Sequence, residues 1–503
     1  MSFSVFERLG LAALRRETLG GVMERLAKIH GGRRIVHEHA SGRELTYADC
    51  AESVRVWSNA IAAAIEPGEP VVIATANSYD QFLLCLAASR AGGLPAPVND
   101  QMRESEIDHV IRDSGARLVI RSPRDVARTA PAAEPSLPAA SEVAALFYTS
   151  GTTGKPKGAA LTHRALVGQL SGAALWPTGL RRDEVVAGLP VAHIMGFVAY
   201  LGLALAGLPV YCFERFRAIE VLEVIERRKA TGFVGVPTMY QMLLEAGAAR
   251  YDLTSVRIWM SGADVMPADV LRQFKRFGAA AHLPLLGPVG DATFVEGYGM
   301  VEVGGGVMAK ISPPAMNLGA GDSLGFRLPG NRFRVVGDDG ESVGVGNIGE
   351  LWVKGPGVLE GYWNAPEATS EAVTADGWLK TGDLVRLGPF GTVLFHGRRK
   401  TVIKSGGYSV YPLEVEATLL EHPEVHEAAV LGIPDAKLGE VPVAAVRLRE
   451  GSIVTPAALE SWSAERLAHF KTPRQIQVVD DLPRTGTSKV QKDRLSEIFD
   501  QGA

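Results

Sequence analysis

The chain has 503 residues, 46% of them hydrophobic and 21% charged, enough to bury a sizeable core and, at roughly 150 residues per domain, to form two to three domains. Its 52 Lys and Arg against 56 Asp and Glu give a formal net charge of -4, which excludes non-specific electrostatic capture of nucleic acid or of an anionic membrane; an anion must be held locally. Cys50, Cys85 and Cys212 are odd in number and lack any CxxC spacing, which argues against a disulfide framework or a zinc site and suits a reducing, cytoplasmic compartment.

The N-terminal "MSFSVFERLGLAALRRETLG" is interrupted by Glu and Arg and has neither a signal-peptide core nor a membrane span. Short β-rich runs, "PVVIATA" (70–76), "ARLVI" (116–120), "TGFVGVP" (231–237) and "VRIWMSG" (256–262), alternate with helical stretches such as "YDQFLLCLAASRAG" and "VLEVIERRKA". That alternation predicts βαβ units around a largely parallel sheet. "RTAPAAEPSLPAAS" (128–141) reads as a Pro/Ala/Ser linker on the surface. The longest apolar run, "GFVAYLGLALAGLPVYCF" (196–213), is divided by three Gly and one Pro and reads as a buried helix running into a strand. After about residue 325, "FRVVGDDGESVGVGNIGELWVKG" predicts antiparallel sheet with Gly turns. A basic, glycine-rich crossing, "HGRRKTVIKSGGYSVYPLEVE" (396–416), then marks a domain boundary close to Lys400.

The most unusual stretch is "YTSGTTGKPKG", residues 148–158, after the buried strand "ALF" and before the helix-like "LTHRALVGQL". Glycines let backbone N–H groups converge on one point, and hydroxyls with a lysine complete a phosphate cradle. A flexible Gly/Ser/Thr linker is the bland alternative, but linkers do not usually place a Pro between two Lys directly after an apolar strand. The P-loop pattern GxxxxGK[ST] is absent, because Pro156 follows Lys155.

This stretch resembles the phosphate loop [ST]SG[ST]TGxPKG of the adenylate-forming enzymes, which include acyl-CoA synthetases, aryl-CoA ligases and peptide-synthetase adenylation domains. Further motifs of that family follow in order over nearly the whole chain. The resemblance implies an α/β fold: a large N-terminal domain (1–397) of parallel-rich βα subdomains plus a small β-barrel-like subdomain, a hinge (398–400), and a small mobile α+β C-terminal domain (401–503). It implies phosphate binding by Thr149, Ser150, Gly151, Thr152, Thr153, Gly154 and Lys157. "LPVAHIMGF" puts His193 at the gate of the carboxylate site. "WMSGADVMP" puts Gly262, Ala263 and Asp264 at one wall of the adenine slot, with Asp264 and Val265 departing from the usual residues. In "VEGYGMVE", similar to YGMTE, Tyr298 would stack on adenine beside Gly299 and Met300, and Glu302 would supply a carboxylate to Mg²⁺. Val301 replaces a threonine there, removing one hydrogen bond to the α-phosphate and predicting slower adenylation. "GWLKTGDLVRL" makes Asp383 the acceptor for both ribose hydroxyls; Arg398 would reach the ribose, Lys400 would be the swivel, and Arg399 reads as a solvated base. Gly406 and Gly407 would lie along the pantetheine arm of CoA. "LPRTGTSKVQK" places Lys489 on the catalytic lysine, with Ser488 in place of a glycine and Val490 on a β-branched position.

The implied reaction joins a carboxylate to AMP with ATP and Mg²⁺, releases pyrophosphate, and passes the acyl group to the thiol of CoA. Relatives using malonate place arginines immediately before the motif tyrosine and after the PT dipeptide; here those places read Gly297 and "VPTMYQMLL". With Val236, Met239, Met242, Gly297 and Gly304 expected to line the acyl pocket, an apolar acid, fatty or aryl, is predicted. Two alternatives stand beside an acid:CoA ligase. One is an adenylating enzyme that loads a carrier protein in trans. The other is a catalytically weakened nucleotide-binding relative, suggested by Val301, Asp264 and Ser488.

Overall fold

In the computed structural model, residues 7–12, 17–126, 138–149, 156–177, 182–283, 285–314, 323–484 and 490–500 are described. The phosphate-loop region is built from two apolar strands. Val143–Thr149 (β1) and Lys157–Thr162 (β2) pair antiparallel, with Thr149 opposite Lys157 at the open end. The stretch expected to run from a strand toward a helix is thus bounded by two paired strands, and β2 is followed by a π turn, Arg164–Gly168, and a 3-10 turn, Ser171–Leu175. Most of the expected linker, residues 128–137, lies outside the described residues.

Downstream, the long apolar run is a helix, Ile194–Ala206 (α1), followed by a strand, Val210–Cys212, as its sequence predicts. His193 caps α1, its Nδ1 accepting from the Met195 N–H at 3.2 Å, and Gly207 (φ +70°) closes it. Gly232–Gly235 (β3) leads into Pro237–Glu245 (α2), where Pro237 sits at a first-turn position that has no intrahelical N–H bond to lose. Ile258–Gly262 (β4), Ala268–Phe277 (α3), Thr293–Met300 (β5) and Gly305–Ser312 (β6) complete the frame.

These strands belong to a nine-stranded sheet in the order Phe326–Arg327, β6, β5, β4, β3, Val185–Ala187, Val210–Cys212, Arg34–Glu38, Glu44–Thr46. Its middle is parallel, with Gly262 of β4 opposite Gly297 of β5. The β5–β6 pair is antiparallel and bulged between Tyr298 and Gly299. A Cβ at Gly299 would lie 1.7 Å from the Gly305 carbonyl oxygen, so only glycine fits this crossing. Beneath the sheet, Trp259, Tyr240, Phe274 and Phe294 form one aromatic cluster. Tyr240–Phe274 and Trp259–Phe274 meet edge-to-face at 4.8 and 5.0 Å, each pair contributing about 1 kcal/mol beyond its buried area. The buried Tyr240 hydroxyl donates to the Met260 carbonyl at 2.8 Å, which ties α2 to β4.

A separate parallel sheet holds Pro70–Ile73 between Leu94–Pro97 and Leu118–Ile120, with helix Tyr79–Arg90 buried along its length. Gly361–Tyr362 (β7) adds to β2, Tyr362 opposite Ala159.

The chain divides into two compact units, Met1–Phe333 with Val353–Leu379, and Arg334–Trp352 with Lys380–Ala503. In the second, Leu379–Leu387 (β8) and Val393–Arg398 (β9) form an antiparallel pair within a four-stranded sheet. Ile403–Ser405 (β10) and Tyr408–Val410 (β11) form a hairpin in a second sheet, whose core includes Val415, Leu419, Val430 and Val446. Lys400 lies within this unit on a single turn, Arg399–Thr401. All three cysteines are buried and free, and among the described residues no helix is long and apolar enough to cross a membrane.

Candidate active site

Glu302 sits on the short turn Val301–Val303, directly after β5. Two segments clamp this turn. From one side, the Leu359 N–H donates to the Glu302 carbonyl at 2.9 Å, and Gly357 packs so closely that a Cβ would lie 2.2 Å from the Val303 carbonyl oxygen. From the other, Gln169 Nε2 donates to the carbonyls of Gly304 (2.7 Å) and Val303 (3.2 Å). The side chain is held as well: the Tyr362 hydroxyl donates to Glu302 Oε1 at 2.9 Å. Lys157 Nζ lies 5.6 Å from the centroid of the Tyr362 ring. Burial, reinforced by the Glu302 charge, pushes the Tyr362 phenol well above its ordinary range, so it stays a donor. Lys157, at the mouth of the β1–β2 hairpin, and Glu302 are thus gathered around one tyrosine.

The ends of β4 and β5 form a second constellation. Ala263 adopts a left-handed conformation (φ +70°) that costs a non-glycine residue about 1 kcal/mol and turns the chain sharply after Gly262. Asp264 is exposed, and its Oδ1 accepts from the Val265 N–H at 2.8 Å. Tyr298, Gly299 and Met300 are half-buried. Across from these ends runs α1: a Cβ at Gly262 would approach the Met195 side chain at 3.4 Å, and one at Gly305 would meet the Val198 methyls at 3.2 Å. Gly297 differs, since a Cβ there would meet only the Ser261 carbonyl oxygen, at 3.9 Å. The open room is therefore at Gly297. Gly304 (φ +62°), also expected to line the acyl pocket, is packed against the Ala165 carbonyl. Val236 caps α2 without a side-chain bond, Met239 packs at the edge of the aromatic cluster, and Met242 is 38% exposed. Glu296 and Lys310, opposite each other on β5 and β6, form an ion pair at 2.8 Å.

In the second unit, Asp383 is only 1% exposed and faces Arg398 across β8–β9, with Arg398 Nε 2.9 Å from Asp383 Oδ1. The neighbouring Gly382 N–H donates to Glu350 Oε1 at 2.9 Å. Arg399 is not simply solvated: it reaches Glu350 Oε2 at 3.1 Å and Asp338 Oδ1 at 2.7 Å. Gly406 and Gly407, at φ +56° and +84°, are the two-residue turn between β10 and β11, a geometry that demands left-handed residues. Ser150 to Lys155, Ser488 and Lys489 lie outside the described residues. The segment carrying Lys489 is closed at its base by the Arg484–Val490 bridge and by the Gln491 N–H on the Pro483 carbonyl at 2.7 Å.

Residues 23–138 and 121–363 match the family of AMP-binding enzymes, and residues 414–489 match the AMP-binding enzyme C-terminal domain. The chain belongs to the AMP-binding enzyme family. It is 35% identical to a feruloyl-CoA synthase of an Amycolatopsis species, over 91% of this chain and 94% of that protein. Among solved structures, ATP-bound MatB from Rhodopseudomonas palustris matches with a TM-score of 0.84 at 30% identity, covering 95% of this chain and 99% of that one. The o-succinylbenzoate CoA synthetase of Bacillus subtilis, in complex with ATP and magnesium, matches with a TM-score of 0.81 at 26% identity, covering 96% and 100%. The chain is an AMP-forming acid:CoA ligase that uses ATP, Mg²⁺ and CoA, with the mixed α/β fold of adenylate-forming enzymes, a large N-terminal and a small C-terminal domain.

The donor set of this AMP-binding enzyme suits magnesium bound together with a nucleotide. Among the described residues no cluster of three metal-ligating side chains exists, whereas Glu302 presents one fixed carboxylate beside the hairpin of Lys157. Magnesium is commonly held by one or two carboxylates and completed by phosphate oxygens. Sequence reasoning did not single out Tyr362 or Gln169. The tyrosine stands in "GYWNAPE", where an aromatic after glycine is unremarkable, and only the pairing of β7 with β2 brings it to Glu302. Gln169 follows the π turn and carries no local signal at all.

Proposed function

We propose that this ligase activates an apolar carboxylic acid, with aryl acids the first class to test and fatty acids the second. The observation that carries the substrate class is Gly297: it opens onto free space beside the glycine-lined strand ends that Met195 and Val198 approach from α1. The place where malonate-using relatives are expected to carry an arginine has no side chain at all, and Met239 and Met242 stand on α2 where a second cation would be needed. A likeness to feruloyl-CoA synthase supports the aryl choice.

In the proposed mechanism the substrate carboxylate, ionised at neutral pH, needs no general base. One of its oxygens attacks the α-phosphorus of ATP as the bond to pyrophosphate breaks. The CoA thiol, giving up its proton, then attacks the acyl carbon and AMP leaves. His193, at the start of α1, gates the carboxylate. Tyr298 stacks on adenine, with Gly262, Ala263 and Asp264 as the opposing wall. Asp383 accepts from the ribose hydroxyls, and Arg398 flanks it. The loop from Thr149 to Lys157 holds the phosphates. Glu302 would hold Mg²⁺, which supplies charge neutralisation at the phosphate oxygens. Lys489 bridges the carboxylate and α-phosphate oxygens as negative charge builds between them. Lys400 is the swivel of the C-terminal domain, and Gly406 and Gly407 lie along the pantetheine arm.

The test is product analysis by mass spectrometry with Mg-ATP, CoA and a panel of aryl, fatty and dicarboxylic acids. The proposal expects acyl-CoA from aryl or fatty acids. Thioester formed only from dicarboxylic acids would refute it.

A further inference from the structure

Tyr362 belongs neither to the phosphate loop nor to the "YGMVE" stretch, yet it touches a charged residue of each. Its backbone is fixed: β7 pairs with β2, the Tyr362 N–H donates to Thr369 Oγ1 at 2.9 Å, and the next N–H, of Trp363, donates to the Gly158 carbonyl at 2.7 Å. The side chain then reaches Glu302 Oε1 at 2.9 Å through its hydroxyl, while the ring carries Lys157 Nζ 5.6 Å from its centroid. Lys157 and Glu302 bear opposite charges, and no ion pair joins them among the described contacts. A direct ion pair would neutralise the two groups that the nucleotide requires. An aromatic ring can attract an ammonium on its face while its hydroxyl donates to a carboxylate, so one tyrosine occupies both groups without joining them.

We infer that Tyr362 is a positioning residue of the nucleotide site: it holds Glu302 in the orientation that receives the magnesium-bound triphosphate and keeps Lys157 from pairing with that carboxylate. This rests on the nucleotide roles proposed above for Glu302 and Lys157. A carboxylate has acceptor capacity beyond the one bond that Tyr362 makes, which leaves Glu302 able to take a metal. Residues that orient a metal-binding carboxylate typically influence metal affinity about tenfold or more when removed.

The test is calorimetric binding of ATP to the full chain, once with Mg²⁺ and once with EDTA, read as the ratio of the two dissociation constants. In Tyr362→Phe the ring stays and the hydroxyl goes, so the ratio is expected to fall about tenfold while the melting temperature holds. In Glu302→Gln the ratio collapses, and adding Tyr362→Phe to it changes nothing further. A Tyr362→Phe chain with the wild-type ratio overturns the inference, whether or not its melting temperature drops. An equal fall in the Glu302→Gln background overturns it too, because the effect would not pass through the carboxylate. Tyr362→Met replaces the Phe variant if that chain does not fold. A wild-type chain that binds no ATP would refute the nucleotide assignment itself, and the inference with it.

Discussion

Arg398 and Asp383 face each other across β8–β9 with Nε 2.9 Å from Oδ1, and the carboxylate is almost fully buried while half of the arginine is exposed. Replacing Arg398 by Met removes the cation from a buried anion. The exposed half of the pair is screened, so the loss of stability is expected at about 2 kcal/mol, between the values for surface and buried pairs. Urea unfolding measures it. Asp383→Asn keeps the volume and removes the charge on which the proposed ribose contact rests, so the ATP KM should rise about tenfold with the acid KM unchanged.

A Cβ at Gly297 would meet only the Ser261 carbonyl oxygen, at 3.9 Å, and the proposed acyl pocket takes its room there. Gly297→Val fills that room with an aliphatic side chain at a backbone position that is not left-handed. The kcat/KM for bulky aryl acids is expected to fall about tenfold or more, with short acids and ATP much less affected. Steady-state kinetics over an acid series of graded width would show it; equal losses at every width would place the pocket elsewhere.

Val301 opens the turn that carries Glu302. Val301→Thr adds a hydroxyl of nearly the same size. One hydrogen bond to a phosphate oxygen contributes about 1 kcal/mol, which corresponds to an adenylation rate about fivefold higher. Rapid-quench measurement of pyrophosphate release reads that step without interference from product release.

Two buried histidines set an acid limit on stability. Burial pushes His30 down to about 4, aided by the charges of Arg33 and Arg8, and burial likewise pushes His163 down to about 4. His163 is 1% exposed, and its Nδ1 accepts from the Leu19 N–H at 2.9 Å. Because the folded values lie below the unfolded value near 6.5, the unfolded chain takes up protons first as pH falls. Their contribution is therefore complete above about pH 6.5 and lost between there and about pH 4, at roughly 3 kcal/mol each. Unfolding free energies at pH 7 and 4.5 should differ accordingly, and His163→Gln should flatten part of the slope.

Several features are legible in the sequence because they rest on short patterns with fixed chemistry. The strand, helix and turn signals around residues 70–76, 196–213 and 256–262 fold as their hydrophobic patterns predict. The Gly406–Gly407 turn has the residues its backbone requires. What escapes depends on contacts distant in sequence. "LTHRALVGQL" has helical composition, but its first residues are drawn into β2 by pairing with β1, and only a π turn remains. Arg399 reads as a solvated base until Glu350 and Asp338, about fifty residues earlier, are brought beneath it. Gly304 and Gly297 look alike in sequence; one is crowded by the Ala165 carbonyl and the other is open. Tyr362 reaches Glu302 across 60 residues of chain.

The most direct test of the catalytic account separates the two half-reactions. For an acid accepted by the wild-type chain, pyrophosphate release is compared with thioester formation from the synthetic acyl-adenylate and CoA, in wild type and in Lys489→Ala. In Lys489→Ala, release is expected to fall more than about a hundredfold, while thioester formation stays within about threefold of wild type. Release at the wild-type rate, or an equal collapse of both steps, would contradict it.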